Sequence, residues 1–301
     1  MGLIVTGSIG IDSIETPWGR AENVLGGSCT YFAAAASFFC PVRVVAAVGE
    51  DFPDDYLKVM EGFDVDLEGL EKRKGSKTFR WSGKYHENMN DRDTTAVEIN
   101  VLGEDLPNVP DRFRDSKFVF LANTHPAGQA ALLDSFAGAE LVVADTMDLW
   151  IDTALDELKA LMKRLDGLVL NDMEAIKLTG ERNLVKASQM IVEMGPKFVV
   201  IKKGEHGAML ITNEVVYALP IFPTDKVKDP TGAGDSFAAG MMAHIAEVDK
   251  VDPATLKRAM AYGACVASVT IEDFSLAALR AADRDTVQKR FEEYRKMLSF
   301  D

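Results

Sequence analysis

The chain has 301 residues, 47% of them apolar, and a formal net charge of −14 from 47 acidic and 33 basic side chains. That length suits one large α/β domain with a small appendage, and the acid excess argues against nucleic acid as a partner, since neutralising phosphates takes clustered Lys and Arg. No apolar run reaches the roughly 18–20 residues that cross a bilayer, and Met1–Asp12 lacks the basic start and apolar core of a secretory signal, so a cytoplasmic protein with no membrane partner is expected.

In chain order, a short apolar strand is predicted at Leu3–Thr6, a helix at Thr30–Phe39 and a strand at Arg43–Val48. Strands at Lys117–Leu121, Leu141–Ala144, Leu168–Leu170 and Phe198–Ile201 then alternate with helices at Ala127–Phe136, Thr153–Arg164 and Leu184–Glu193. Unbroken apolar strands separated by helices predict a doubly wound, mostly parallel sheet with helices on both faces. A hairpin is expected at Ala208–Thr212 and Val215–Leu219, and an amphipathic helix at Asp285–Leu298.

Residues 65–102 break this rhythm. Helical periodicity gives way to polar–apolar alternation at Thr78–Trp81 and Thr95–Val101, around a polar stretch from Tyr85 to Asp93. The expectation is an inserted antiparallel β lid at 65–102 on an α/β core of residues 1–64 and 103–301. Cys29, Cys40 and Cys265 lack the spacing of a disulfide framework or a zinc site and read as buried free thiols; the four histidines show no metal spacing.

The chemistry concentrates at Asp229–Pro230–Thr231–Gly232–Ala233–Gly234–Asp235, directly before an apolar helix. Three small residues at a helix start leave backbone N–H groups open to an anion at the positive end of the helix dipole. A carboxylate in the first turn either caps the helix or, beside an anion hole, accepts a proton from an attacking hydroxyl. No Gly-Lys-Ser/Thr follows the glycines, so this is not a Walker A loop.

This stretch resembles the C-terminal signature of ribokinase-like (PfkB) carbohydrate and nucleoside kinases. Shorter pieces occur in the family's order: Gly7–Asp12, Gly26–Gly27–Ser28, Val48–Gly49–Glu50–Asp51, Asn171–Asp172–Met173–Glu174 and Gly204–Glu205–His206–Gly207. The resemblance implies transfer of the ATP γ-phosphoryl group to a primary alcohol with Mg²⁺. Asp235 would be the base, with Gly232, Ala233 and Gly234 as the anion hole. Asp12, Gly26, Gly27 and Arg92 would bind the acceptor. Asn171, Glu174, Lys203, Gly204, Gly207 and Thr231 would hold the nucleotide, with Glu174 reaching the metal through water. The residues alone also allow Asn171 and Glu174 to be a helix cap and its first-turn partner, and Asp12 to be a turn residue.

The chain departs from the family pattern in three places. Ser28 and Tyr31 stand where many sugar kinases have Lys and Asn, which counts against ribose; Tyr31 either stacks on a base or sugar or packs in its helix. Lys202–Lys203 replaces a Thr, so a Lys here either contacts phosphate or is solvated. Asp229 fits a monovalent-cation loop, but the Gly-rich turn expected to complete it reads Ile271–Glu272–Asp273–Phe274–Ser275. The expected acceptor is a hydroxymethyl group of a sugar or polyol, with a nucleoside as the alternative and a silent ligand-binding protein behind both. Two lids pairing into a homodimer is a further expectation.

Overall fold

The computed structural model describes residues 2–299. Nine strands form the larger sheet: β1 (Leu3–Thr6), β4 (Val42–Gly49), β5 (Val65–Arg73), β8 (Phe118–Leu121), β9 (Leu141–Asp145), β10 (Gly167–Asn171), β11 (Phe198–Lys202), β12 (Ala208–Thr212) and β13 (Val216–Leu219). Their order is β13-β12-β11-β10-β9-β8-β1-β4-β5, parallel from β11 to β5, with β12 and β13 antiparallel at one edge. This is the expected doubly wound sheet.

Side chains of a strand alternate between faces, and the two faces bury separate cores. Val5, Phe120, Val143, Val169 and Val200 pack against α1 (Ser28–Ala36) and the long helices α8 (Ala233–Val248) and α9 (Pro253–Thr270). Ile4, Leu121, Ala144, Leu170 and Ile201 face α3 (Pro126–Leu133), α5 (Leu155–Met162), α6 (Asp172–Thr179) and α7 (Leu184–Glu193). Three further helices are peripheral: α2 (Asp54–Glu61), α4 (Asp148–Thr153) and α10 (Ala277–Ala281). The expected amphipathic C-terminal helix is α11 (Arg284–Leu298), which buries Val287 and Tyr294 and packs on α9. No helix among the described residues is long and apolar enough to cross a membrane.

The small sheet has the order β3-β2-β6-β7, from β2 (Gly10–Thr16), β3 (Gly19–Gly26), β6 (Phe79–Tyr85) and β7 (Arg92–Glu98). It differs from the expected insertion in three ways. Half of it comes from residues 10–26, where Pro17 and Gly19 turn a mostly buried strand and a mostly exposed one into a hairpin. Residues 65–73 belong instead to the larger sheet as its edge strand β5, whose charged side chains tolerate solvent on the outer side. Finally, β2 pairs with β6 in parallel, so only two of its three pairings are antiparallel. The expected strand Thr95–Val101 lies earlier, because residues 100–103 turn into a 3₁₀ helix.

Asp51 fastens the two sheets. It follows the end of β4 and accepts from the Thr78 backbone N–H and hydroxyl, both at 2.7 Å, and pairs with Arg80 on β6 at 3.2 Å. Cys29, Cys40 and Cys265 are free; the first and last are buried and Cys40 is partly exposed.

Candidate active site

Open α/β sheets bind ligands beyond the carboxyl ends of their strands, and the site residues gather there. Asp145, Asn171 and Lys202 are the last residues of neighbouring strands β9, β10 and β11. Each stands two residues after a side chain of the α8-facing core (Val143, Val169, Val200), so alternation places all three on the face where α8 begins.

Gly232 opens α8 in the left-handed region at φ 76°, and a Cβ there would lie 2.2 Å from the Tyr31 ring. Only glycine fits this turn. The Ala233 N–H returns to the Pro230 carbonyl at 3.1 Å and the Ser236 N–H to that of Gly232 at 2.9 Å. Among the described residues, the N–H groups of Gly232, Gly234 and Asp235 find no backbone carbonyl. The amides left without a carbonyl at this helix start are thus those of Gly232, Gly234 and Asp235, while the Ala233 amide closes the turn. Asp235 is partly buried; desolvation pushes its carboxyl up to about 6, against the pull of the Lys202 and Arg92 cations.

Asp12, Gly26 and Gly27 come together as the sequence suggested. Asp12 is buried on β2, accepts from the Gly27 backbone and lies where a Cβ on Gly26 would fall 1.9 Å from its carboxylate. Burial, with repulsion from Asp229 and Asp235, pushes its carboxyl up to about 7, and Oδ1 has no hydrogen-bond partner. Tyr31 is buried beneath Gly232 and does not present a stacking face; its hydroxyl, near Asp229 and Asp12, is also unpartnered. Of the two readings of Tyr31, packing is the one the structure shows.

Asn171 and Glu174 form a reciprocal capping box on α6: Asn171 Oδ1 accepts from the Glu174 N–H and Glu174 Oε2 from the Asn171 N–H, both at 2.7 Å. The cap does not remove Glu174 from the site. It is buried, burial raises its carboxyl, and Lys202 and Arg92 oppose that rise. Asp145 was missed in the sequence. Its carboxyl is pushed well above the usual range by desolvation and by Asp235, and its Oδ1 is buried with no partner. Lys202 rather than Lys203 faces the site: a Cβ on Gly234 would lie 2.7 Å from the Lys202 Nζ. Lys203 follows on the opposite alternation and gives its N–H to the Gly207 carbonyl at 2.8 Å, closing the loop of Gly204 (φ 53°) and Gly207 (φ 83°).

The small sheet reaches this centre at three points. Tyr85 accepts a hydrogen bond from the Thr231 hydroxyl at 3.1 Å, Arg92 lies over the Trp81 ring with its charge felt at Asp235 and Glu174, and Asn90 touches Gly204. Asn88 and Asp91 are occupied in holding the loop, since Asn88 Oδ1 accepts from the Asn90 and Asp91 N–H groups. On the far side, Asp229 Oδ1 accepts from the Thr231 N–H at 2.9 Å, while Oδ2 is buried without a partner.

A carboxylate beside open helix-start amides, flanked by cations, is the equipment of a phosphotransferase with an alcohol acceptor. Comparison with known proteins agrees. The family model described as pfkB family carbohydrate kinase matches residues 19–281, and the chain belongs to that family. It is 30% identical, over 81% of its length and 88% of the relative's, to a cytidine kinase of Thermococcus kodakarensis. The fold is shared with a Methanocaldococcus jannaschii nucleoside kinase (TM-score 0.78, 20% identity, 97% of this chain and 99% of that one). It is shared too with a Burkholderia thailandensis nucleoside kinase in complex with ADP and inosine (TM-score 0.79, 17% identity, all of both chains).

Proposed function

We propose that this chain is an ATP-dependent nucleoside kinase, transferring the γ-phosphoryl group to a hydroxymethyl group of the acceptor. The observation that carries the phosphoryl-transfer chemistry is Asp235 in the first turn of α8 beside the open amides. The choice of a nucleoside over the sugar or polyol favoured from sequence rests on the similarity to the cytidine kinase across four fifths of the chain. Asp12, held against Gly26 and Gly27, suits hydrogen bonds from vicinal hydroxyls. Asp235 takes the proton of the attacking hydroxyl as its oxygen bonds to the γ-phosphorus and the bond to the β-phosphate oxygen breaks, releasing ADP.

The residues fit a Mg²⁺ ion carried with the nucleotide: Asp145 Oδ1 is buried and unpartnered, and Glu174 lies beside it. Mg²⁺ usually keeps several waters and takes one or two carboxylates besides phosphate, so Asp145 and Glu174 would hold it through water, where it would neutralise phosphate charge. The unpartnered Asp229 Oδ2 likewise suits a monovalent cation. All seven residues of β7 are exposed at the edge of the small sheet, which supports pairing of two lids into a homodimer. We place the enzyme in the cytoplasm, where ATP is held.

The test is an ADP-release screen with ATP and Mg²⁺ across pyrimidine and purine nucleosides, pentoses, hexoses and polyols, with ³¹P spectra identifying the product. A nucleoside is expected to give the highest kcat/KM. A sugar outranking every nucleoside would overturn the nucleoside reading while leaving the kinase intact.

A further inference from the structure

Lys202 violates a rule of helix electrostatics. Cations are favoured at helix C-termini and disfavoured at N-termini, where the open N–H groups already carry positive charge. Yet the Lys202 ammonium lies against the first turn of α8, 2.7 Å from where a Gly234 Cβ would be. Carboxylates surround it, since its charge bears on Asp235, Asp145 and Glu174. Among the described residues it nevertheless forms no ion pair with any of them, whereas other lysines near carboxylates do, such as Lys177 with Asp152 and Lys197 with Asp166 at 2.7 Å. It is partly buried on the last residue of a central strand, in register with Asn171, so its stem is fixed while its head is unbonded.

A local cost of this kind points to a ligand that repays it. An anion on the Gly232, Gly234 and Asp235 amides would bring negative charge to the ammonium and relieve its repulsion from the helix end. We infer that Lys202 is a catalytic residue whose ammonium contacts the transferring γ-phosphoryl group from the side opposite the lid's Arg92. The inference rests on the phosphoryl-transfer reading of the α8 start and adds a residue that reading does not require. Lys202 holds the developing charge on the equatorial oxygens from the core side of the site. Lys203, on the other alternation, has no such part.

The experiment compares Lys202→Met, Lys202→Gln and Lys202→Arg with the parent and with Asp235→Asn. Single-turnover transfer is measured, together with calorimetric affinities for ATP and AMP. Loss of one preorganised donor typically slows such reactions about 10²–10³-fold, so that fall is expected for Met and Gln, with Arg retaining more. A lost charge-assisted contact, about 1.5–3 kcal/mol, predicts ATP binding weakened by about tenfold or more and AMP binding kept. A transfer rate within twofold of the parent overturns the inference, as does equal weakening of ATP and AMP, which marks a purely structural role. If Asp235→Asn is impaired while the Lys202 variants are not, this inference alone falls. If all variants transfer like the parent, the reading of the α8 start falls with it.

Discussion

As the proposed base, Asp235 has to be deprotonated, yet its burial beside Asp145 favours the protonated acid. Lys202 and Arg92 oppose that tendency and hold its carboxyl to about 6. The rate of transfer is therefore expected to fall as pH drops below about 6, approaching tenfold per unit, and to level off above it. Asp235→Asn keeps the shape without the proton acceptor and is expected to lower kcat about 10²–10⁴-fold with ATP affinity nearly kept; single-turnover kinetics and calorimetry check this. Glu174→Gln separates charge from cap, because the amide oxygen can still accept from the Asn171 N–H. It is expected to raise the Mg²⁺ concentration for half-maximal rate with little change in melting temperature, and an unchanged Mg²⁺ titration would leave Glu174 a cap alone. The glycines and Asp235 were legible because a turn at positive φ and a first-turn carboxylate leave local marks in sequence. Asp145 and Lys202 leave none by themselves. They emerge when the alternation of β9 and β11 is carried one residue past the apolar run, which also tells Lys202 from Lys203.

The small sheet shows what sequence periodicity resolves and what it does not. β6 and β7 alternate and were recognised as sheet, with β7 displaced by three residues at each end. β2 and β3 were absorbed into the core, since Gly10–Thr16 follows a buried strand almost without a break and pairing between residues 10–15 and 79–84 is non-local. β5 alternates as a lid strand would, and its membership of the larger sheet is set by partner choice rather than by its own pattern. The contacts of this small sheet make its closure testable. Arg92→Ala is expected to raise KM for the acceptor about tenfold, the effect of one charge-assisted contact, with KM for ATP changed less. Shortening Glu87–Asp93 removes Asn90 from Gly204 and admits water to the phosphoryl group, so the ratio of ATP hydrolysis to transfer is expected to rise several-fold. Initial rates of ADP release and product formation, measured in parallel, report both. If both variants match the parent, the small sheet is not a lid.

Across the whole molecule, the site concentrates carboxyl groups that folding makes harder to ionise. Asp12, Asp145, Glu174, Asp229 and Asp235 all have raised values, with desolvation the largest cause for each. The capping boxes and the two buried cores hold the fold against this cost. A carboxyl whose folded value lies above its unfolded one gains a proton on folding between the two, so its unfavourable effect is absent below the unfolded value and grows as pH rises. For Asp12 the window runs from 3.8 to about 7, giving an order-of-magnitude ceiling of about 4 kcal/mol of destabilisation above pH 7. Asp12→Asn removes this titration while keeping the shape of the pocket against Gly26. The variant is therefore expected to gain on the parent as pH rises: its melting temperature relative to the parent should be several degrees higher at pH 8 than at pH 5, where about 1 kcal/mol corresponds to roughly 2–4 °C in a chain of this order of size. The variant's acceptor affinity relative to the parent should fall over the same range, because the ionised Asp12 that costs the parent stability is the form that would accept hydrogen bonds from vicinal hydroxyls. Melting curves of the nucleotide-free protein at the two pH values decide the first point and acceptor titrations the second. A melting difference independent of pH would mean that Asp12 is ionised without strain in the folded chain.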